Sequence, residues 1–426
     1  MKGHFAIILN LFSIYLYSSC TNNRIDRSPI ATIDIESNVL NKEQINLSRF
    51  TNTIRYVSLA TNADMIFTGI WDCEFSDSLI LIKNLGKCLL YDFNGNFISK
   101  IGNKGRGPGE FQYANKVEFG PKKKIYVQSM YDLFEYNIDG SFSENYKNSF
   151  LLNNEFVSRW ASINDTFFLG KIASLTGKEK YKGLVFNKQG DIKYYFNNYT
   201  RLDRHVEMSN DGDEDANIYI FNDIIIFKEV HNDTLFHLTE QYKLNPIYIF
   251  HLGKFKEPDS ERARFFSDKD QSKIGYYIRL DNVFQTSDYL FLECFMNDHF
   301  PAKRLTPKRL LGDRFTWYNS KHMLGLFNKL TGELVFCEPT STDNPLFTSG
   351  LYNDIDAGPR FFPKKMVNDS TMAMWVEAKQ LKDHVASDDF KNSVSKCPEK
   401  KKQLEELANK LTEFDNPVLM FVTFKK

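Results

Sequence analysis

From residue 78 onward the chain repeats one grammar: a short apolar run, a turn, an aromatic-rich run, then a polar turn holding glycine. One unit is Ser78-Leu79-Ile80-Leu81-Ile82, Cys88-Leu89-Leu90-Tyr91-Asp92-Phe93 and the turn Asn94-Gly95. The next is Lys124-Ile125-Tyr126-Val127, Leu133-Phe134-Glu135-Tyr136 and Asp139-Gly140, and a third is Thr166–Leu169, Gly183–Phe186 and Gln189-Gly190. Asp223–Phe227 pairs in the same way with Thr234–Leu238, and Tyr289–Leu292 with Leu324–Phe327 before Thr331-Gly332. The last unit joins Thr371–Val376 to Val418–Val422 near the C-terminus. Runs this short, bounded by turn residues, predict strands, and Asn-Gly and Asp-Gly favour the primed turns of hairpins.

Six such units at a loose period of about 40–50 residues match the spacing of propeller blades. A lone blade cannot bury both faces, whereas stacking around a ring does so and leaves only short edges. The spacing therefore predicts an all-β, six-bladed β-propeller. Two further strand-like runs, Ala31–Ile35 and Ile54–Leu59, precede the first full unit, and at least the second is expected in the outer part of the last blade, closing the ring. One amphipathic helix is expected from Glu399 to about Phe414, with Leu404, Leu407 and Leu411 on the face that packs on the rim, stopped by Asn416-Pro417.

Composition supports the all-β reading, because 38 Phe and 21 Tyr suit half-buried pleated surfaces. Lys and Arg together equal Asp and Glu at 54 each, so the chain lacks the basic excess of a dedicated nucleic-acid binder. The N-terminus changes the picture more. Lys2, an apolar stretch from Phe5 to Leu16, and Ser18-Ser19 before Cys20 have the outline of a signal peptide. The apolar stretch is shorter than the roughly 20 residues of a membrane-spanning helix. A cysteine placed here resembles a lipobox, although Tyr17 stands where the bacterial consensus prefers Leu. The expected organisation is a signal peptide over residues 1–19, a lipidated tether over 20–29 with Cys20 acylated, and the propeller over 30–426. Thr21-Asn22-Asn23 lacks an acidic run of the kind that some surface lipoproteins carry, which favours a lipid-anchored, periplasm-facing protein of the cell envelope.

The remaining cysteines, Cys73, Cys88, Cys294, Cys337 and Cys397, are odd in number and scattered, which excludes a disulfide framework. They are expected as small core residues, with a Cys73–Cys88 pair across neighbouring strands as the alternative. No histidine falls in a short metal-ligand spacing, and no nucleophile elbow occurs. Asp211-Gly212-Asp213-Glu214-Asp215 resembles the start of a calcium loop, but Ala216 and Asn222 stand where the loop requires glycine and a bidentate acid. No catalytic residue, metal or cofactor is therefore assigned.

Ile101-Gly102-Asn103-Lys104-Gly105-Arg106-Gly107-Pro108-Gly109-Glu110-Phe111 closely resembles the signature of a family of six-bladed β-propeller proteins, many of them predicted lipoproteins of anaerobic diderm bacteria. The family is related in shape to NHL-repeat and TolB-like propellers. Tyr91–Ile98, Asp233–Phe236 and Glu413–Leu419 resemble it too, so the resemblance covers about Ile30 to the C-terminus. It implies the propeller fold, no general catalytic motif and no ligand common to its members. Neither a Walker loop nor a dinucleotide fingerprint fits the glycine segment, since no helix follows. Gly105, Gly107, Pro108 and Gly109 are expected as a structural turn that brings backbones close, with Arg106 near a pore mouth.

Candidate ligand-binding residues come from long inter-strand segments, where propeller loops carry function. The insertion Phe300–Lys321 holds Arg314 and Trp317 among further basic residues, and Arg159, Trp160 and Arg279 occupy corresponding places in other units. Cations beside aromatics suit an acidic glycan or a peptide carboxylate. The leading expectation is a non-catalytic envelope binding or scaffold module recognising a peptide, a glycan or a partner protein. The alternatives are a metal-assisted lyase or hydrolase with its site on the ring axis, and a structural subunit of an envelope assembly.

Overall fold

A computed structural model describes residues 30–425, apart from residues 63–64, 68, 85, 201, 203–215, 265–274, 297–307, 311–314, 318–321 and 340–348. Six antiparallel sheets of four or five strands follow one another along the chain and form the six blades. The innermost strands are Asp72–Phe75, Lys116–Gly120, Glu155–Ser162, Ala216–Phe221, Arg279–Gln285 and Lys365–Met366. The six-bladed propeller read from the repeat is the fold observed.

The second strand of each blade explains why the repeat is so apolar. Within Leu79–Asn84, Ile80, Leu81 and Ile82 are all buried, because such a strand packs on a neighbouring blade with each face. Ile80 and Ile82 join Val57, Leu419 and Phe421 of the sixth blade in one core. Leu81 joins Val117, Ile125 and Val127 of the second blade in the next. The same register separates Cys73 from Cys88. Cys73 lies opposite Ile82 and Cys88 opposite Lys83, on different faces of the sheet and in different cores, and both are free thiols.

The ring is closed by the strand Thr53–Ser58, which pairs antiparallel with the C-terminal strand Val418–Thr423 as the outermost strand of the sixth blade. This is the closure expected from Ile54–Leu59. The chain before it, including the strand-like run expected at Ala31–Ile35, forms a belt whose docking place the apolar pattern did not reveal. Ala31–Asp34 runs parallel to the outer strand Leu244–His251 of the fourth blade, and Lys42–Glu43 runs parallel to Leu334–Cys337 of the fifth. Ile33, Ile35, Val39 and Ile45 of this belt are buried in the core shared by those blades.

The hairpins stand where the turn residues put them, but their geometry differs from the primed two-residue turn. Four residues connect Lys87–Asp92 to Phe97–Lys100, with only Gly95 in the left-handed region and a bulge at Leu90 and Tyr91. A type I turn ending in a left-handed glycine produces this bulge. A side chain at Gly95 would meet the carbonyl of Ser58, and one at Gly140 that of Lys100, so each turn abuts the outer strand of the preceding blade.

The helix expected near the C-terminus spans Pro398–Lys410, and Leu404 and Leu411 are buried. It ends earlier than Asn416-Pro417 because Leu411 is already extended and a local turn follows, with Thr412 N–H donating to Asp415. Two helices not anticipated, Ala378–Ala386 and Asp388–Asn392, pack with it in the same insertion of the sixth blade.

Candidate functional site

The two faces of the ring are built differently. Connections between first and second strands, and between third and fourth, run from two residues (222–223) to five (239–243). Every long segment leaves the opposite face, between second and third strands or between one blade and the next. These include the glycine segment 101–115, the helical insertion 377–417 and the segment 296–321. Long loops on one face of a repeat protein are where binding surfaces are made.

At the axial end of that face lies a cavity of about 360 Å³. Its wall is made by one innermost-strand position in five blades, backed by a repeated position on the second strand. The fifth residue of the second strand is Lys83, Gln128, Lys171, Lys228, Glu293 and Trp375 in blades one to six. In the first five it is a buried polar group inside an otherwise apolar strand. Opposite it on the innermost strand stand Asp72, Lys116, Arg159, Asn217 and Asn282, all of which line the cavity. Lys364 and Lys365 supply the wall from the sixth blade.

Most of these charges are paired. Lys116 contacts Glu74 at 2.8 Å and Glu118 at 3.4 Å, while Lys365 contacts Glu74 at 2.5 Å and Asp72 at 3.5 Å. Burial works against the charged form of Asp72, yet Lys365, Lys116, Lys83 and Arg159 outweigh it and hold the carboxyl below the usual range. Across the cavity Arg279 Nε donates to Asp281 at 2.5 Å, and His322 Nε2 lies 2.8 Å from the other oxygen of the same carboxylate. Burial of Asp281 is again outweighed, here by His322 and Arg279, and its carboxyl is pushed well below the ordinary value. Six cations and three acids line the wall, and Glu74 and Glu118 behind it leave a small positive balance. Among the described residues no three His, Cys, Asp or Glu side chains converge as metal ligands do.

The residues singled out from sequence distribute unevenly. Arg159 and Arg279 line the cavity, as does Trp160. Trp160 is nonetheless only 1% exposed, packed among Tyr126, Phe150 and Phe168, with Nε1 donating to Gln128 at 2.9 Å. Its position is that of a core aromatic holding the wall. Arg106 is exposed on the glycine segment and is not part of the cavity wall. Within that segment Gly109 takes a positive φ, and Gly105 leaves room for Glu110, whose carboxylate accepts the Gly107 N–H at 2.9 Å. Phe315–Trp317 forms a two-stranded ladder with Lys308–Leu310, placing Trp317 opposite Lys308. Arg314, Cys20 and the acidic stretch Asp211–Asp215 lie outside the described residues. The wall residues Asp72, Lys83, Lys116, Asn217 and Asn282 were missed, although a lysine closing an apolar run in Ile82-Lys83, Gly170-Lys171 and Phe227-Lys228 was a visible signal.

Among solved structures, the chain is similar to a protein described as exported, from Bacteroides fragilis NCTC 9343, at 17% identity and a TM-score of 0.64, covering 93% of this chain and 100% of that one. It is also similar to a member of the DUF4221 family from Bacteroides vulgatus ATCC 8482, at 12% identity and a TM-score of 0.47 over 88% and 99% of the two chains. Virginiamycin B lyase from Staphylococcus aureus is a more remote likeness, at 11% identity and a TM-score of 0.36 over 68% and 89%. The first of these likenesses extends to the fold alone, and the other two carry no argument about this chain. No protein of curated function matches. Residues 30–423, from the belt to the closing strand, match the family described as Domain of unknown function (DUF4934), and the chain belongs to that family.

Proposed function

We propose that the protein is a non-catalytic binding module of the bacterial cell envelope, exported by its leader, anchored through Cys20, and binding its ligand on the face that carries the long connections. The observation that carries this reading is the coincidence of that face with the axial cavity, whose wall places a polar group at the same position in five blades. Polar groups repeated at one level of the innermost strands, each backed by a buried polar group on the second strand, are retained at a cost, which a recognition role for the wall explains. The ligand class is a peptide, a glycan or a partner protein presenting polar and anionic groups.

Hydrogen exchange of the full chain, with and without a soluble fraction of bacterial envelope, tests the reading. Protection is expected at the ends of the innermost strands that meet the cavity, with the bound material recovered chemically unchanged. Protection confined to the short hairpins, or turnover of the recovered material, would reject it.

A further inference from the structure

We infer that the axial cavity is a site for an acidic saccharide, its carboxylate held between Lys83 and Arg159 and its ring laid against Trp71. This rests on the binding-module reading and adds the ligand class.

Lys83 is the first support. It is 8% exposed, and among the described residues one of its three N–H donors is used, to the carbonyl of Asn115 at 2.6 Å. Among the described residues no carboxylate lies within ion-pair distance of it, whereas Lys116 and Lys365 each hold two. A buried ammonium with this few partners is unfavourable until an anion completes it. Burial lowers its proton affinity; Asp72, opposite it on the innermost strand, works against this without forming an ion pair, and Arg159 on the wall adds to the lowering. Lys83 and Arg159 both line this cavity, and two cations around a space large enough for a ligand make an anion site; the guanidinium, whose Nη1 also donates to the Ser158 carbonyl at 3.0 Å, adds a planar group that matches a carboxylate.

The saccharide part comes from the other wall residues. Trp71 is 60% exposed and stands immediately before Asp72, at the cavity edge, with its backbone N–H donating to the carbonyl of Lys83 at 3.0 Å. A bare indole beside a polar cavity offers the flat apolar surface on which the C–H face of a pyranose packs. Asn115 and Asn217 each use the side-chain oxygen to accept a backbone N–H, from Met130 and Val283, and among the described residues their NH₂ groups are left unused. Amide donors of this kind suit ring hydroxyls. A peptide terminus would satisfy the cations too, which makes a peptide carboxylate the competing occupant. A volume of about 360 Å³ lies near the lower end of the roughly 300–1,000 Å³ of small-molecule sites, which admits a sugar unit and excludes a folded domain.

Titration calorimetry of the full chain with short oligogalacturonate, its methyl ester and a peptide with a free C-terminal carboxylate tests the inference. The acid form is expected to bind, with esterification, Lys83→Met or Arg159→Gln each weakening it at least tenfold. Trp71→Ala should weaken it as well, and each variant should keep a wild-type circular dichroism spectrum and a cooperative melt. Equal binding of acid and ester, or an unaffected Lys83→Met variant, overturns the inference. Binding of the peptide in place of the saccharide also overturns it, while leaving the binding-module reading intact. If every probe fails and the envelope fraction also gives no protection in hydrogen exchange, both readings fall together.

Discussion

At the scale of single residues, Asp356 is the clearest case of a side chain placed against its ordinary chemistry. It lies under the helical insertion and accepts hydrogen bonds from Gly358 N–H at 2.8 Å, Asn353 Nδ2 at 2.6 Å and Tyr56 Oη at 3.2 Å. These donors favour the carboxylate, yet burial outweighs them and raises its pKa from 3.8 to about 6. The folded state therefore holds the proton more tightly than the unfolded chain does. The stabilisation is complete below about pH 4 and is lost as the pH rises through about 6, a loss of about 3 kcal/mol by pH 7 at roughly 1.4 kcal/mol per unit. Asparagine mimics the protonated form, so the stability of the wild type relative to Asp356→Asn should fall by about that amount between pH 3 and pH 7 in denaturant titrations. A difference independent of pH would show that Asp356 is not the titrating group.

At the scale of elements, legibility followed the distance over which each element finds its partner. Hairpins such as Asp132–Asn137 with Phe142–Tyr146 pair within a few residues, and their turn glycines announced them. The closing strand Thr53–Ser58 was legible because its alternating apolar residues had no local partner and the last unit lacked an outer strand. Of the belt only the strand at Ala31–Asp34 was legible, not its place, because it pairs with residues more than 200 positions away, and Lys42–Glu43 is too short and polar to show a pattern. The cavity wall was partly legible. Arg159 and Arg279 stand beside aromatics, whereas Lys83 and Asn217 acquire meaning only when the ring brings one strand position from several blades together. Belt and closure also differ in what they stabilise, and two truncations separate them. Removing residues up to 43 should strip Ile33, Ile35 and Val39 from their core, costing roughly 2–5 kcal/mol for each large side chain lost before any relaxation, while the ring stays closed. The expected result is a lower melting temperature with the strand circular dichroism retained. Removing residues up to 58 opens the ring and should abolish the cooperative transition altogether. If the two truncations melt alike, the belt and not the closing strand holds the molecule together.

At the scale of the whole molecule, the direction of the belt bears on the orientation of the anchored protein proposed above. The outer strand Leu244–His251 runs from the face of short hairpins toward the face of long connections, and Ala31–Asp34 lies parallel to it. The chain therefore comes to the rim of the fourth blade from the short-hairpin side. With an acyl group on Cys20, about ten residues upstream, the expected orientation has that side toward the bilayer and the cavity outward, where soluble ligands reach it. Short, bonded hairpins such as Asn137–Ser141 suit a face apposed to a headgroup surface better than long connections do. The arrangement is measurable with one fluorophore at a time on the full, lipidated chain in vesicles that carry a headgroup quencher. A label at Ser141→Cys, on the short-hairpin face, should be quenched more strongly than one at Arg106→Cys, on the cavity face. The native cysteines in the described blades are buried free thiols, so labelling at the introduced sites is selective apart from the half-buried Cys397. The reverse order of quenching would place the cavity against the membrane. A ligand would then have to come from the lipid side, and the site would belong to a membrane component and not to a saccharide in solution.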